Sequence, residues 1–323
     1  MYTHLTQDER YQIAAGIGAG ASLRAIAGQL GRSPATISRE VARNSTNTGY
    51  KGLLQRQSQA RARKSQSRIR IHANSWKAIC HLIQLDWSPE QISNRAAHEG
   101  TFKISPERIY QYIYADRAAG GELYQHLRGQ KPYRKRYGSG RERRGSHPDQ
   151  TSIHDRPKSA EQRDDVGHWE GDTIVGKGRK SAVFTAVERK TRFTRIGKAA
   201  SRHRAAVHRS IRRRLLPLKD QVQSLTVDNG REFTRHKGLE KALGMQVYFA
   251  DPYASWQRGS NENTNGLIRQ YLPKGDDFSK VTGATIRRIE TRLNNRPRKC
   301  LGYLTPHEAF YGVELKLTVA LGS

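Results

Sequence analysis

The sequence predicts an α/β domain in the second half of the chain, preceded by an all-α region that contains a helix-turn-helix. Three observations carry this. A small residue, a turn glycine and an apolar residue stand at helix-turn-helix spacing near the start. After about residue 164, four short β-rich runs follow one another, with one amphipathic helix before the last. The basic excess is spread along the whole chain: a net charge of +29 from 58 Lys and Arg against 29 Asp and Glu.

Such an excess needs a polyanionic partner, and double-stranded DNA is the one the motifs below support. Residues 1–150 hold 25 basic and 11 acidic residues, so the charge is no local tail. The longest uncharged stretch, Tyr11 to Leu23, is 13 residues long and broken by Gly16, Gly18 and Gly20. It falls short of the roughly 20 apolar residues of a membrane span. Asp8 and Glu9 near the start argue against a signal peptide. We expect no membrane partner and a cytoplasmic location. Cys80 and Cys300 stand far apart without a Cys/His cluster, which excludes a disulfide scaffold and a structural zinc site.

The first module is expected over 1–50. In LRAIAGQLGRSPATISRE, Ala27 lets two helices approach, Gly31 takes the left-handed turn, and Ile26, Leu30 and Ile37 seal the angle between them. Ser33 caps the second helix and Pro34 opens it. With Ser33, the outward Thr36, Ser38, Arg39 and Arg43 suit hydrogen bonds to base edges and phosphates.

A second helical module is expected over 51–127. Ser88-Pro89-Glu90-Gln91 and Ser105-Pro106-Glu107-Arg108 open two helices with the same grammar. Ile92, Ile109 and Ile113 pack them and leave Arg108, Gln111 and Tyr112 more exposed. This is either a second helix-turn-helix, with Arg108 and Gln111 on DNA, or a helical linker domain. The acid-free basic run from Arg56 to Arg70 is a candidate helix with a phosphate-facing side. Gly and Pro interrupt the basic residues of Arg128 to Pro148, so a basic linker is expected over 128–163.

The domain expected over 164–323 opens with His168–Val175, Ser181–Glu188 and Arg192–Lys198, then a helix from Arg202 to Leu216, then Val222–Val227. Three strands, a helix and a strand begin an RNase H-like sheet, in which the first and fourth strands are neighbours. Asp172 lies on the first and Asp228 ends the fourth. Glu262 follows at a helix start that Ser260 or Asn261 caps, with Leu267, Ile268 and Tyr271 facing the core. Between the three acids lie 55 and then 33 residues. Three converging carboxylates suit two Mg²⁺ ions, with Mn²⁺ as a substitute, in an in-line phosphoryl displacement. Glu170 shares the strand face of Asp172 and is either a helper or, as we favour, a surface or core-edge acid. His168 is read as a structural histidine, with a supporting role at the site as the alternative.

At these residues the chain resembles a family. GHWEGDTIVG, TVDNGREF, RGSNENTNGLIRQYLPKG and LNNRPRKCLGYLTPHEAF, with the helix-turn-helix, are similar to the insertion-sequence-thirty family of bacterial DDE transposases. The resemblance covers nearly the whole chain. It implies a retroviral integrase-type catalytic domain with the triad on Asp172, Asp228 and Glu262, which would be both catalytic residues and metal ligands. It also implies recognition of terminal inverted repeats by the amino-terminal region, cleavage at the element ends and joining of the 3′-hydroxyl to target DNA. Trp256, Gln257, Arg258, Asn263, Asn265, Arg269 and Lys274 surround the third acid and suit a DNA strand passing it, with Arg258, Arg269 and Lys274 the candidate contacts. Asn294, Asn295, Arg296, Arg298 and Lys299 serve either as turn formers or as DNA contacts. A homo-oligomer, at least a dimer, is expected on DNA. The alternatives are a DNA-binding repressor with an inactive nuclease domain and a plain RNase H-like nuclease.

Overall fold

The computed structural model describes residues 5–47, 49–50, 71–128, 149–179 and 181–315. The basic run 56–70 and most of the expected linker lie outside the described residues. The chain divides into two compact units, 1–70 and 71–323.

In the first unit, α1 (Gln7–Gly18), α2 (Leu23–Gln29) and α3 (Pro34–Asn44) precede a two-residue ribbon of β1 (Ser45–Thr46) and β2 (Gly49–Tyr50). Thr6 and Glu9 close the first turn of α1 with a capping box. Ser33 accepts the Thr36 N–H at the start of α3, with Pro34 in the first turn. Gly31 has φ +60°, which an L side chain adopts only at a cost. Ile13, Ile26, Ala27 and Ile37 are buried together, as the sequence pattern requires. Two ion pairs fasten this small core, Arg10 to Glu40 and Arg32 to Glu9, both at 2.7 Å. The Arg32 hydrogen bond holds the Glu9 carboxyl down at about 2.

The second unit begins with three helices, α4 (Ala73–Gln84), α5 (Pro89–Glu99) and α6 (Pro106–Ala118). Ser88 and Ser105 cap the latter two, and Gly100 ends α5 in the left-handed conformation. Ile79, Leu82, Ile83, Ile92, Ile109 and Ile113 form their core. The next elements are β3 (Thr151–Ser152) and α7 (Lys158–Gln162), so residues 149–163, expected as linker, belong to the fold. Thr151 and Ser152 find backbone partners on a sheet edge, which the basic composition of the segment did not signal.

The sheet is completed by β4 (His168–Val175), β5 (Ala182–Glu188), β6 (Thr194–Ala199), β7 (Ser224–Val227) and β8 (Gln246–Phe249). Between them run α8 (Arg204–Leu215) and α9 (Lys237–Leu243), and after them α10 (Gly259–Ile268), α11 (Gly283–Asn294) and α12 (Pro306–Tyr311). The strand order is β3-β8-β7-β4-β5-β6. Strands β4 to β6 are antiparallel, and β7 joins β4 in parallel. A parallel return requires a crossover, which α8 supplies.

Alternation along β4 sorts its residues to two faces. Trp169 joins Phe184, Leu225 and Val227 under α8 and α9, with Val207, Ile211, Leu215, Leu239 and Leu243 from the helices. Ile174 lies on the other face with Val183 and Ile196, under Leu267 and Ile268 of α10 and Ile286, Ile289 and Leu293 of α11. Each such buried aliphatic side chain stabilises the fold by about 1.5–3 kcal/mol. Both faces are therefore covered, and Glu170 and Asp172 share the face of α10. No helix among the described residues is long and apolar enough to cross a membrane.

Candidate active site

The β4–β7 register pairs Trp169 with Leu225 and Glu170 with Thr226. Two residues further on, the same register sets Asp172 level with Asp228, which directly follows β7. On its other side Asp172 pairs with Thr185 of β5. Asp228 turns the chain by accepting the Gly230 N–H at 2.9 Å. A Cβ at Gly230 would stand 2.8 Å from carboxylate oxygens of both Asp228 and Glu232, so a side chain there would displace one or both acids.

Asp172 accepts the Thr173 N–H at 2.8 Å and the Asn265 side-chain amide at 2.9 Å. Burial pushes its carboxyl up to about 6; Arg258 pulls against this, while Asp228 and Glu232 add to it. The Arg258 guanidinium reaches both aspartates, 3.7 Å from Asp172 and 3.8 Å from Asp228. It is the local counter-charge of the pair.

Helix α10 is tied to the sheet by two asparagines one turn apart. Asn261 is fully buried and donates its backbone N–H to the Glu170 carboxylate and its side-chain amide to the Glu170 carbonyl. Asn265 bridges Asp172 and the Thr185 hydroxyl. This corrects two expectations. Neither Ser260 nor Asn261 caps α10; the cap position is Arg258, and the orphan N–H of Asn261 is satisfied across the sheet by Glu170. Nor is Glu170 a surface or core-edge acid: it is fully buried and paired with Arg189, because its carboxylate ends at the start of that helix.

Glu262 stands in the exposed first turn of α10, where an acid favours the positive end of the helix dipole. Among the described residues it has no hydrogen bond or ion pair, and no three His, Cys, Asp or Glu side chains lie close enough together to hold a metal. Two of the three expected acids are thus brought together. Asp172 and Asp228 fit a hard divalent cation: both are oxygen donors, they converge, and a guanidinium already spans them.

Glu232 was missed in the sequence. It is buried, accepts the Thr173 hydroxyl at 2.7 Å and faces Arg202 at 3.4 Å. Its place two residues after the turn glycine of TVDNGREF was the available signal. His168 is buried, its Nδ1 2.8 Å from the Ser224 hydroxyl, while its Nε2 has no hydrogen-bond partner among the described residues.

The candidate DNA contacts fall into groups. Ser38, Arg39 and Arg43 are exposed on α3, whereas the Ser33 hydroxyl is engaged in capping and lies 2.9 Å from that of Thr36. Arg108 and Gln111 are exposed on α6, with Arg108 over the Trp76 ring. Arg258 faces the aspartates, Arg269 donates to the Leu272 and Pro273 carbonyls, and Lys274 is exposed. Asn294 and Arg296 serve the structure: Asn294 closes on the backbone of Thr194, and Arg296 is buried against the Tyr271 hydroxyl.

Family models match two stretches of the chain. Residues 1–44 match a helix-turn-helix domain and residues 163–255 an integrase core domain. The transposase for insertion sequence element IS4351 of Bacteroides fragilis is 40% identical over 327 residues, covering 100% of both chains. The chain belongs to the IS30 family of transposases. Transposase InsI for IS30A of Escherichia coli (strain K12) is 39% identical to this transposase over 94% of it and 82% of the relative. The IS1086 transposase of Cupriavidus metallidurans is 39% identical over 94% and 93%. Among solved structures, the catalytic core domain of BIV integrase matches 46% of this transposase and 95% of that chain at 23% identity, with a TM-score of 0.36. The fold is an RNase H-like integrase core preceded by a helix-turn-helix domain.

Proposed function

We propose that this transposase binds the terminal inverted repeats of its insertion sequence, cleaves phosphodiester bonds at the element ends and joins the freed 3′-hydroxyl to target DNA. The observation that carries the reading is the convergence of Asp172, within β4, and Asp228, just past the end of the adjacent parallel β7, with the Arg258 guanidinium between them. In this reading Asp172, Asp228 and Glu262 are the catalytic residues; Asp172 and Asp228, which converge, would hold Mg²⁺, or Mn²⁺ as a substitute, and Glu262, which stands apart from them in this structure, would have to close on the pair to complete the set. Bound there, two such ions would supply an activated attacking oxygen and a stabilised leaving oxygen.

The protein's own groups prepare this. Thr173 N–H and the Asn265 amide fix the Asp172 carboxylate. Asn261, held by Glu170, fixes the start of the helix that carries Glu262. Arg258 balances the aspartates and lies where a scissile phosphate would approach. Ser38, Arg39 and Arg43 of α3 read the ends from the major groove, with Arg108, Gln111, Arg269 and Lys274 as backbone contacts.

The test is incubation of the full-length protein with labelled end-bearing duplex and Mg²⁺. Cleavage and strand transfer are expected for the native protein. Asp172→Asn, Asp228→Asn and Glu262→Gln should each abolish both while retaining end binding. Strand transfer that survives in a variant removes that residue from the triad; end binding by the native protein without cleavage makes it a repressor.

A further inference from the structure

The 31 residues between Glu188 and Asp220 contain 12 Lys and Arg and no acid. Helix α8 runs through this stretch. Its inner side is spent on the core through Val207, Ile211 and Leu215. Its outer side carries Arg209, Arg212 and Arg213, all exposed, around a depression of about 430 Å³ that Ala205, His208 and Leu216 complete. Arg209 and Arg212 have no hydrogen bond or ion pair among the described residues. Among the described residues Arg213 donates only to the Lys198 carbonyl, at 3.3 Å. Arg212 and Arg213 gain from the negative end of the helix dipole, but Arg209, a full turn earlier, lies beyond that effect. Three like charges on adjacent turns repel one another, and the sequence offers no acid on the helix to relieve them.

We propose that this outer face of α8 holds the phosphate backbone of the target duplex without reading its sequence. The inference rests on the DNA-joining function proposed above and assigns one of its two DNA partners a surface. Two observations favour the target over the element ends. The face has no Ser, Thr, Asn or Gln, and its one neutral polar side chain, His208, is half-buried with Nε2 out of solvent, so it lacks the mixed exposed donors and acceptors of a base-reading surface, which α3 has in Thr36, Ser38 and Arg39. The helix also starts beside the acids: Arg202, two residues before it, faces Glu232, whose other partner is Thr173 next to Asp172. From there α8 extends for about 18 Å, enough to follow a backbone away from the aspartates.

The test compares native protein with the R209Q/R212Q/R213Q variant, at full length, in binding to an end-bearing duplex and to a duplex of unrelated sequence over a range of salt. Each lost phosphate contact removes about 0.9 from the log–log salt slope. The unrelated duplex should therefore show a slope shallower by about 2 to 3 and an affinity at least tenfold weaker. The end-bearing duplex should lose much less. The corresponding triple lysine variant should keep the native slope, since it keeps the charge. Unchanged slopes, or equal losses on the two duplexes, would overturn the proposal. So would a change in oligomeric state with DNA binding intact, since α8 would then lie between copies of the chain. Native protein that binds neither duplex would instead defeat the function on which the inference rests. Arg209→Glu alone, with its unfolding transition measured, gives the same readout if the triple glutamine variant does not fold; an unchanged slope there overturns the proposal equally.

Discussion

The backbone N–H of Asn261 donates to the Glu170 carboxylate at 2.8 Å, so an acid on a central strand closes the amino terminus of α10. Glu170 also pairs with Arg189, and the side chains of both are nearly inaccessible. Breaking a buried pair by removing one partner costs about 3–5 kcal/mol, because a charge is left behind. Glu170→Ala should therefore lower the free energy of unfolding by that much, read as a lower denaturant midpoint at an unchanged slope. Glu170→Gln should cost less, because its amide oxygen still accepts from Asn261. A loss below about 1 kcal/mol for the alanine variant would remove Glu170 from the support of the site.

Asp172 titrates near 6 in the folded protein, against an ordinary value of 3.8, chiefly because it is buried. Between these values the folded state holds a proton that the unfolded state has lost. The stability this contributes is complete below about pH 4 and lost as the pH rises through 6. In the presence of chelator, Asp172→Asn should thus gain stability relative to native protein as the pH is raised from 4 to 7. With 28% of the side chain still in water, the gain is on the order of 1 kcal/mol. A pH-independent difference in unfolding temperature would contradict the shift. Added Mg²⁺ should raise the native unfolding temperature more at pH 7.5 than at pH 5.5, since a metal needs the ionised carboxylate.

Much of this was legible in the sequence. The strands show as short β-rich runs bounded by turns and the helix before β7 as an amphipathic period, and the adjacency of Asp172 and Asp228 follows from the order of these elements in an RNase H-like sheet. What escaped depended on contacts across the sheet. Glu170 reads as an ordinary charged strand residue until α10 is laid over it. Glu232 sits in a turn whose local pattern explains itself without a buried acid. Thr151 and Ser152 join the sheet by backbone pairing, which a Gly- and Arg-rich neighbourhood hides. Glu262 shows the opposite limit: its spacing marks it in the sequence, while the fold leaves it exposed and apart from the aspartates.

On α3, capping and reading separate. Ser33→Ala removes the bond to the Thr36 N–H and should cost about 1 kcal/mol of stability in the amino-terminal unit. Arg39 is exposed and serves no structural bond among the described residues. Arg39→Ala should weaken binding to the element ends by about 1–3 kcal/mol with little change on unrelated duplex. Equal losses on both DNAs in an equilibrium titration would reduce Arg39 to a phosphate contact.

The last prediction concerns α4 to α6. Sequence left open whether they form a second reading domain or a helical linker, and the ion pairs argue that they are built onto the catalytic sheet. Asp86, buried and with φ +65°, accepts from the Tyr271 hydroxyl at 2.7 Å and from Arg292 at 2.5 Å, and lies 3.0 Å from His126. Arg95 grips Glu308 of α12 with both terminal nitrogens, at 2.8 and 2.5 Å. Asp86→Ala would leave Arg292 and the Tyr271 hydroxyl without their acceptor at a buried boundary, which costs about 3–5 kcal/mol. The loss should be local. Amide hydrogen exchange should speed up in α4, α5 and α6 and along the last turn of α11, which carries Arg292, while the amides of β4, β5 and β7 stay protected until global unfolding. Arg95→Ala should loosen the same helices together with α12. If the three helices instead keep native protection in both variants, their own core suffices to hold them, and the two ion pairs are incidental to the joint.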